Sequence, residues 1–395
     1  MFLQMHFLTS HHATLLNRDE AGLAKRITFG DAARLRVSSQ CQKKHWRDEL
    51  HRVLDTTPAL RSRYAFSRVV LPALINEHGI EEETAKKLTM ALAEAVLKSA
   101  DKKKPLDDEL KLKQAILFGK PELDYFVTTI VEAVKAADVE GKTGKDLDKA
   151  LTDAVKDRVK AEKANFNALV AQSGMGETAK GIEGALFGRF ITSDIYARTD
   201  APVHVAHAFT VHPDQVDVDY FSVADDLQTS EETGGAHIND TELGAGVFYG
   251  YVAIDVPLLV SNMTGCDPKD WREQGSGDVR QVLAALLKAI ATVTPGAKKG
   301  STAPYAFSDF VLIEATNNQP RSLSNAFLKA LPSKGHVVTQ AAQALLGHAK
   351  RLNDMYGSDT ASKAIATSLS LDEVEICPLD QAINTNLDAI FNAGA

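Results

Sequence analysis

An α+β domain carrying insertions is the fold class this sequence predicts. Strand-like and helix-like segments mix without a regular βα repeat, which argues against a doubly wound sheet. One long stretch, 57–170, reads as helices alone and interrupts strand-bearing sequence on either side. A hydrophobic content of 44% over 395 residues is enough to bury a core, in one large domain or two ordinary ones.

Residues 1–56 read as strand, long loop, short strand and helix. At the start Phe2, Gln4, His6 and Leu8 alternate with Leu3, Met5, Phe7 and Thr9, the two-residue period of a strand. The stretch lacks the basic region and small-residue cleavage site of a signal peptide. In IEEETAKKLTMALAEAVLKSA, Leu88, Leu92 and Val96 recur four apart, a helical period. From 81 to 163 there are 17 basic and 18 acidic residues, so the outer faces of these helices are balanced and solvated. KKKPLDD and EGKTGKD mark the breaks between them. GIEGALFGRFITSD, Gly181 to Asp194, is strand-like with glycine punctuation. The stretch from His212 to Gly246 is polar and acidic, and leads into a strand from Val247 to Val256. It is long for a plain connection, and loops of that length are usually functional or disordered. Gly277 to Val293 reads as a helix, PGAKKGSTAP as a basic loop and FSDFVLIEA as a strand. Helices at Ser322–Leu331 and Thr339–Tyr356 and a strand-like LDEVEI complete the chain.

Several function classes drop out. No apolar run reaches the ~20 residues of a membrane span. Cys41, Cys266 and Cys377 are odd in number and far apart, which points to a reducing, cytoplasmic setting and away from a structural zinc site. His204 and His207 have helical spacing but no close cysteine or carboxylate, and HVAH reads as a core strand rather than a metal site. Gly244-Ala-Gly246 is not followed by a helix, and neither a phosphate-binding G-x-x-x-x-G-K-[ST] nor a G-x-S-x-G elbow occurs. No cofactor is expected.

Charge is the informative signal. The net charge is -8, yet Lys25 to Arg47 holds seven lysines and arginines against one acid, Asp31. In Arg34-Leu35-Arg36-Val37 the strand period puts both arginines on one face. Ser39-Gln40-Cys41-Gln42 is a capping-box pattern, so a helix is expected to begin at Ser39. Trp46, Leu50, Val53 and Leu54 make its expected buried side, while Lys43, Arg47 and His51 recur along the border. A helix N-terminus flanked by cations suits phosphate, which makes Arg34, Arg36, Ser38, Ser39, Lys43, Lys44 and Arg47 candidates. The alternative is a capped amphipathic helix whose basic residues are plain surface. Cys41, near Lys44 and the helix start, is a candidate for a lowered thiol pKa.

LNRDEAGLAKRITFGDAARLRVSSQCQKKHWR resembles the N-terminal signature of the CRISPR-associated CasC family, the backbone subunit of the type I-E Cascade surveillance complex. The resemblance continues through GRFITSD, HPDQVDVDYFSVADDLQ, GAHINDTELGAGVFYGY, TPGAKKG and RSLSNAFLKAL, and is weakest in 57–170. The chain departs from the family at Gln42, often leucine there, and at Ala32 and Ala33, often basic. The resemblance implies a modified RNA-recognition (ferredoxin-like) palm at 1–56, 171–211 and 247–395, helical fingers at 57–170 and a thumb hairpin at 212–246. It implies a non-catalytic subunit that polymerises with further copies of itself along a crRNA. The partners implied are target DNA, other Cascade subunits and an effector nuclease, with no membrane. RNA-contacting positions fall on Arg18, Lys25, Ser38, Gln40, Lys43 and Arg47, with Lys298 and Lys299 in the late basic loop. Phe190 stands where the family packs an apolar residue on bases, and Tyr220 and Phe221 where its thumb carries aromatics.

Two rival readings remain. Backbone subunits of the related type III complexes cut RNA with an aspartate after the first strand, and Asp19 and Asp31 lie in the comparable loop here. The bland role for Asp19 is to pair with Arg18 or cap a turn. The second rival is a filament former that binds no RNA.

Overall fold

The computed structural model describes residues 1–97, 105–161, 181–188, 200–223, 237–274, 277–296, 299–372 and 374–392. The fold is α+β, with an antiparallel sheet and many helices. Its strands are β1 (Phe2–Thr14), β2 (Arg26–Phe29), β3 (Ala32–Val37), β4 (Leu60–Ser62), β5 (Ile116–Phe118), β6 (Val203–Val205), β7 (Ala208–Thr210), β8 (Gln215–Val223), β9 (His237–Asp255), β10 (Ser308–Thr316) and β11 (Thr360–Thr367). Two units emerge: Met1–Leu50 with His204–Ile254 and Arg280–Ala395, and His51–Val203 with Asp255–Val279. The second unit is therefore wider than the expected insertion at 57–170.

The first unit is built on a sheet in the order β11-β10-β1-β9-β7-β3-β2. β1 is central and pairs with β10 from Phe2↔Thr316 to Phe7↔Val311. Leu3, Met5, Phe7 and Leu8 are buried, and so are Gln4 and His6, because both faces of the strand are covered. Buried polar groups need partners. Gln4 Nε2 donates to Glu314 Oε2 at 3.1 Å, His6 Nδ1 lies 3.0 Å from the Tyr249 hydroxyl, and the Tyr251 hydroxyl donates to Gln4 Oε1. One core joins Leu8, Phe209, Tyr249, Phe310 and Phe327 to Ala341, Ala342, Leu345 and Ala349 of the helix Val337–Tyr356. Another joins Leu15, Leu16, Leu35, Val37, Ala208 and Phe248.

Local pattern and tertiary bonding disagree in several places. Ser322–Leu331, expected as a helix, is a single 3-10 turn at Ser324–Phe327. Backbone N–H groups that the last turn of a helix would use are taken elsewhere, Ala330 N by Asp31 Oδ1 and Leu331 N by Val211 O, and Leu323 N donates to the Tyr249 hydroxyl. GIEGALF is a helix, Gly181–Phe187, not strand-like. LDEVEI forms no strand among its described residues, while β11 and the helix Leu379–Phe391 had no expected counterpart. That helix is tied to Gly277–Thr292 by Arg280–Asp388 and Lys288–Asp380 ion pairs.

The hairpin is a two-stranded ribbon, with β8 paired to β9 from Gln215↔Ala245 to Val223↔His237. β9 thus starts ten residues before the expected strand at Val247. Asp214 N donates to Ala33 O, and Arg26 binds both Asp214 and Glu242, which fixes the base of the ribbon to the β2–β3 hairpin. At the β2–β3 turn Gly30 adopts φ 63°, and a Cβ there would lie 1.8 Å from Leu328 O, so glycine is required.

The second unit packs helices Leu71–Asn76, Glu82–Val96, Lys120–Ala136 and Gly144–Ala161 around Phe66, Phe118 and Phe126. Leu88 and Leu92 are buried in that core and Val96 packs on it, as their spacing requires. The segment after β9 belongs to this unit through Asn262, whose Nδ2 donates to Ala185 O and Asp200 O at 3.0 Å.

Candidate nucleic-acid interface

The site forms where β3 hands over to the helix α1 (Ser39–Leu54). Cys41 N donates to Ser38 Oγ at 3.3 Å, so the cap is Ser38 rather than Ser39, and the helix begins where expected. Gln42 does not complete a capping box; its Nε2 donates to Val37 O and Ala206 O, which buries the side chain. The buried stripe is Ser39, Gln42, Trp46 and Leu50, while Val53 is 52% exposed.

A loop before β2 is laced to this helix start. Ser38 N donates to Asn17 Oδ1, Lys25 N to Asn17 O and Arg36 N to Lys25 O, all within 2.9 Å. Arg18 bridges Ala24, and the turn between them is closed by Asp19, whose Oδ1 accepts from Leu23 N at 3.0 Å. This lacing sets Lys25 and Arg36 beside the first turn of α1 with exposed Arg18 on the same loop, and exposed Gln40 lies in the first turn itself. Lys43 and Arg47 follow one helical turn apart. Burial, reinforced by Arg47, pulls the Lys43 ammonium below its ordinary range, which marks two cations held close together. Arg36 Nη1 donates to His207 Nδ1 at 2.7 Å. Burial and the charges of Arg36 and Lys25 hold His207 below the usual imidazole range, in the neutral form that can accept.

The structure prunes the sequence-derived set. Arg34 shares the strand face of Arg36 but is 0% exposed, with Nη1 donating to Thr210 O at 3.0 Å and Nη2 to Phe327 O at 2.9 Å. It is an interior strut and cannot reach an external phosphate. Ser38 and Ser39 are both buried, and the Ser38 hydroxyl is spent on the cap. Lys44 is paired with Asp48 at 3.1 Å. His51 leaves the expected cationic border for Glu183, 3.0 Å from its Nε2. What remains around the helix start is Arg18, Lys25, Arg36, Gln40, Lys43 and Arg47.

Elsewhere in the first unit Tyr220 is 66% exposed on β8, and Lys299 is exposed in the short helix Lys299–Thr302. Phe190 and Lys298 lie outside the described residues, as does the side chain of Phe221. His207 was missed, because HVAH reads as core strand; β6 ends at Val205 and both histidines are exposed. Asn17 was missed as well, its only signal being a polar residue just before Arg18. Burial raises the Cys41 thiol despite Lys25 and Lys44, so the expected lowering does not occur. Asp31 Oδ1 accepts from Ala330 N at 2.8 Å and lies 3.5 Å from Arg34 Nη2.

The fold and the site define a class: an α+β protein with an antiparallel sheet, a two-stranded ribbon and a cation-lined helix start. The model of the CT1975-like protein family, Cas_CT1975, matches residues 3–392, and the chain belongs to that family. It is similar to a chain of a "CRISPR RNA-guided surveillance complex, pre-nicking", with TM-score 0.72 and 25% identity over 100% of both chains. It shares its fold with a chain of a second "CRISPR RNA-guided surveillance complex", with TM-score 0.58 and 21% identity over 99% of this chain and 100% of that one. No curated protein matches it. No described helix is long and apolar enough to cross a membrane.

Proposed function

We propose that this chain is the non-catalytic backbone subunit of a CRISPR RNA-guided surveillance complex of the type I-E Cascade kind, acting in the cytoplasm. Copies of it line a crRNA, hold its phosphates along the α1 track and leave its bases to pair with target DNA. The full-length likeness to a chain of such a complex carries this reading. The surface agrees with it: in a chain of charge -8, cations gather at one helix start. Sequence is then read by base pairing, and the protein needs only one basic track for the backbone.

The test is a salt titration of single-stranded RNA binding by the intact protein. Lys43→Ala with Arg47→Ala is expected to weaken all sequences alike and to reduce the log–log slope by roughly 0.7 per lost phosphate contact. An unchanged slope would refute the assignment. Absence of RNA binding by the parent protein would favour the bare filament. Asp19 and Asp31 are each occupied in a turn or hairpin contact, and Asp19→Ala and Asp31→Ala are expected to leave RNA integrity unchanged because the parent does not cut. Metal-dependent cleavage by the parent that either variant abolished would establish the nuclease reading instead.

A further inference from the structure

The direction of the two-stranded ribbon is set at its root. Gln215 to Tyr220 are exposed on both faces of β8, so this stretch buries no core of its own. A two-stranded ribbon by itself is marginally stable in water. One side chain organises the place where it joins the sheet. Arg26, on β2, donates from Nε to Asp214 Oδ2 at 2.8 Å and from both Nη atoms to the Glu242 carboxylate. Asp214 immediately precedes β8 and Glu242 lies on β9 opposite Val218, so a single guanidinium grips both strands. Arg26 Nη1 also donates to Ala24 O at 3.1 Å, and Ala24 N donates to Glu242 Oε2 at 2.6 Å, which closes a ring through the loop before β2. The bonds from Arg26 hold the Glu242 carboxyl below its usual range, so the clamp stays ionised at neutral pH. Gly244 supplies a second seat. Thr14 Oγ1 donates to its carbonyl at 3.4 Å, and a Cβ there would lie 2.6 Å from Leu35 Cδ1.

The clamp adjoins the basic track. Lys25 precedes Arg26 in the chain, and Arg36 N donates to Lys25 O, so the segment that grips the ribbon also presents two cations of the track. We propose that Arg26 is a positioning residue for RNA: it fixes the angle of the ribbon to the α1 track, so that a strand lying on the track meets Tyr220 on a ribbon already in place. The inference rests on the crRNA reading above. The lever is long. Tyr220 stands six residues beyond Asp214, about 20 Å along a strand, so a swing of about 10° at the root moves it about 3.5 Å. That is enough to break van der Waals contact with a base. An element held ready binds more tightly than one that must be ordered on contact. Arg26 is charged, but two carboxylates of its own chain neutralise it, so it adds affinity without taking a phosphate.

The test uses the full chain and a labelled single-stranded RNA of about 12 nucleotides, read by fluorescence anisotropy between about 50 and 200 mM salt. Arg26→Gln is expected to weaken binding about 10-fold, with a log–log slope within about 0.2 of the parent. Asp214→Asn with Glu242→Gln opens the same clamp with the opposite change of charge. Electrostatics alone would tighten RNA binding by that pair, whereas the positioning role requires it to weaken, again about 10-fold. Tyr220→Ala is expected to lose less affinity in the Arg26→Gln chain than in the parent, because both substitutions act through the ribbon. Urea midpoints separate an unfolded variant from a weak binder, and the acidic pair decides the matter should Arg26→Gln fail to fold. An affinity unchanged by Arg26→Gln, a slope shallower by roughly 0.7, tighter binding by the acidic pair, or an equal Tyr220→Ala loss in both backgrounds would each overturn the proposal. If the parent fails to bind RNA, the crRNA reading falls and takes this inference with it. If the parent binds RNA and the clamp variants bind it as tightly, this inference alone falls.

Discussion

Replacing Arg34 separates an interior strut from a phosphate ligand. Its guanidinium is 0% exposed and donates to Thr210 O and Phe327 O, tying β3 to β7 and to the turn at Phe327. Arg34→Ala leaves two buried carbonyl groups without a donor and a void where the largest part of the side chain lay. Hydrogen bonds from a charged donor are worth about 1.5–3 kcal/mol each, so the loss is on the order of 3–5 kcal/mol. The nearby Asp31 carboxylate is 54% exposed at 3.5 Å and adds little. Such a loss is a large share of the roughly 5–15 kcal/mol of a typical domain. With a urea m-value of about 2–3 kcal/mol/M, the midpoint is expected to drop on the order of 1–2 M. Arg34→Lys keeps the charge and can reach one carbonyl, so it is expected to fall between the two and to remain folded for binding assays. Its RNA salt slope is expected to match the parent. A stable Arg34→Ala protein, within about 0.5 kcal/mol of the parent, whose RNA slope is shallower by roughly 0.7, would refute the reasoning and return Arg34 to the phosphate track.

Three further outcomes are expected. Tyr220→Ala should change the melting temperature of the isolated chain little, since the side chain is 66% exposed, while impairing assembly on guide RNA; a large fall in stability would show that it anchors the ribbon instead. Burial holds His11 down to about 4 and His6 to about 3, so the unfolded chain binds more protons than the folded one below pH ~6.5. Stability should therefore be complete above that pH and be lost as pH falls toward 4, and His11→Leu should flatten a urea-midpoint profile there by about 1.4 kcal/mol per pH unit, with Glu314, raised by burial, acting in the opposite sense above its ordinary range. Gly30→Ala should destabilise the β2–β3 hairpin, because the added carbon collides with the Leu328 carbonyl; an unchanged midpoint would show that the two segments part freely.

Much of this molecule is legible from one-dimensional pattern. The two-residue period of β1, the four-residue period of Leu88 and Leu92 and the start of α1 at Ser39 are local properties, and the folded chain keeps them. The site is less legible, because charge in a sequence carries no depth. Seven cations between Lys25 and Arg47 look alike on paper. Folding gives Arg26 to Asp214 and Glu242, Arg34 to two carbonyls and Lys44 to Asp48, all but the last with partners more than 170 residues away. The Ser322–Leu331 stretch misleads for the same reason. Its helical pattern is intact, but distant acceptors claim its N–H groups.

The central place of β1 bears on how the chain is made. Its hydrogen bonds to β10 span about 310 residues, as the Gln4–Glu314 contact shows, so β1 meets that neighbour only after most of the intervening chain has been made. At about 5–20 residues per second, FLQMHFLT waits roughly 12–50 s for β9 to be made and roughly 15–60 s for β10, so one hydrogen-bonding edge stays unsatisfied until β10 emerges. The helices at 71–161 can meanwhile close their own core, since its contacts lie within one stretch of chain. The nascent protein thus spends its riskiest interval as a folded helical body trailing an apolar strand, and that strand, not the basic track, sets its demand for protection during synthesis.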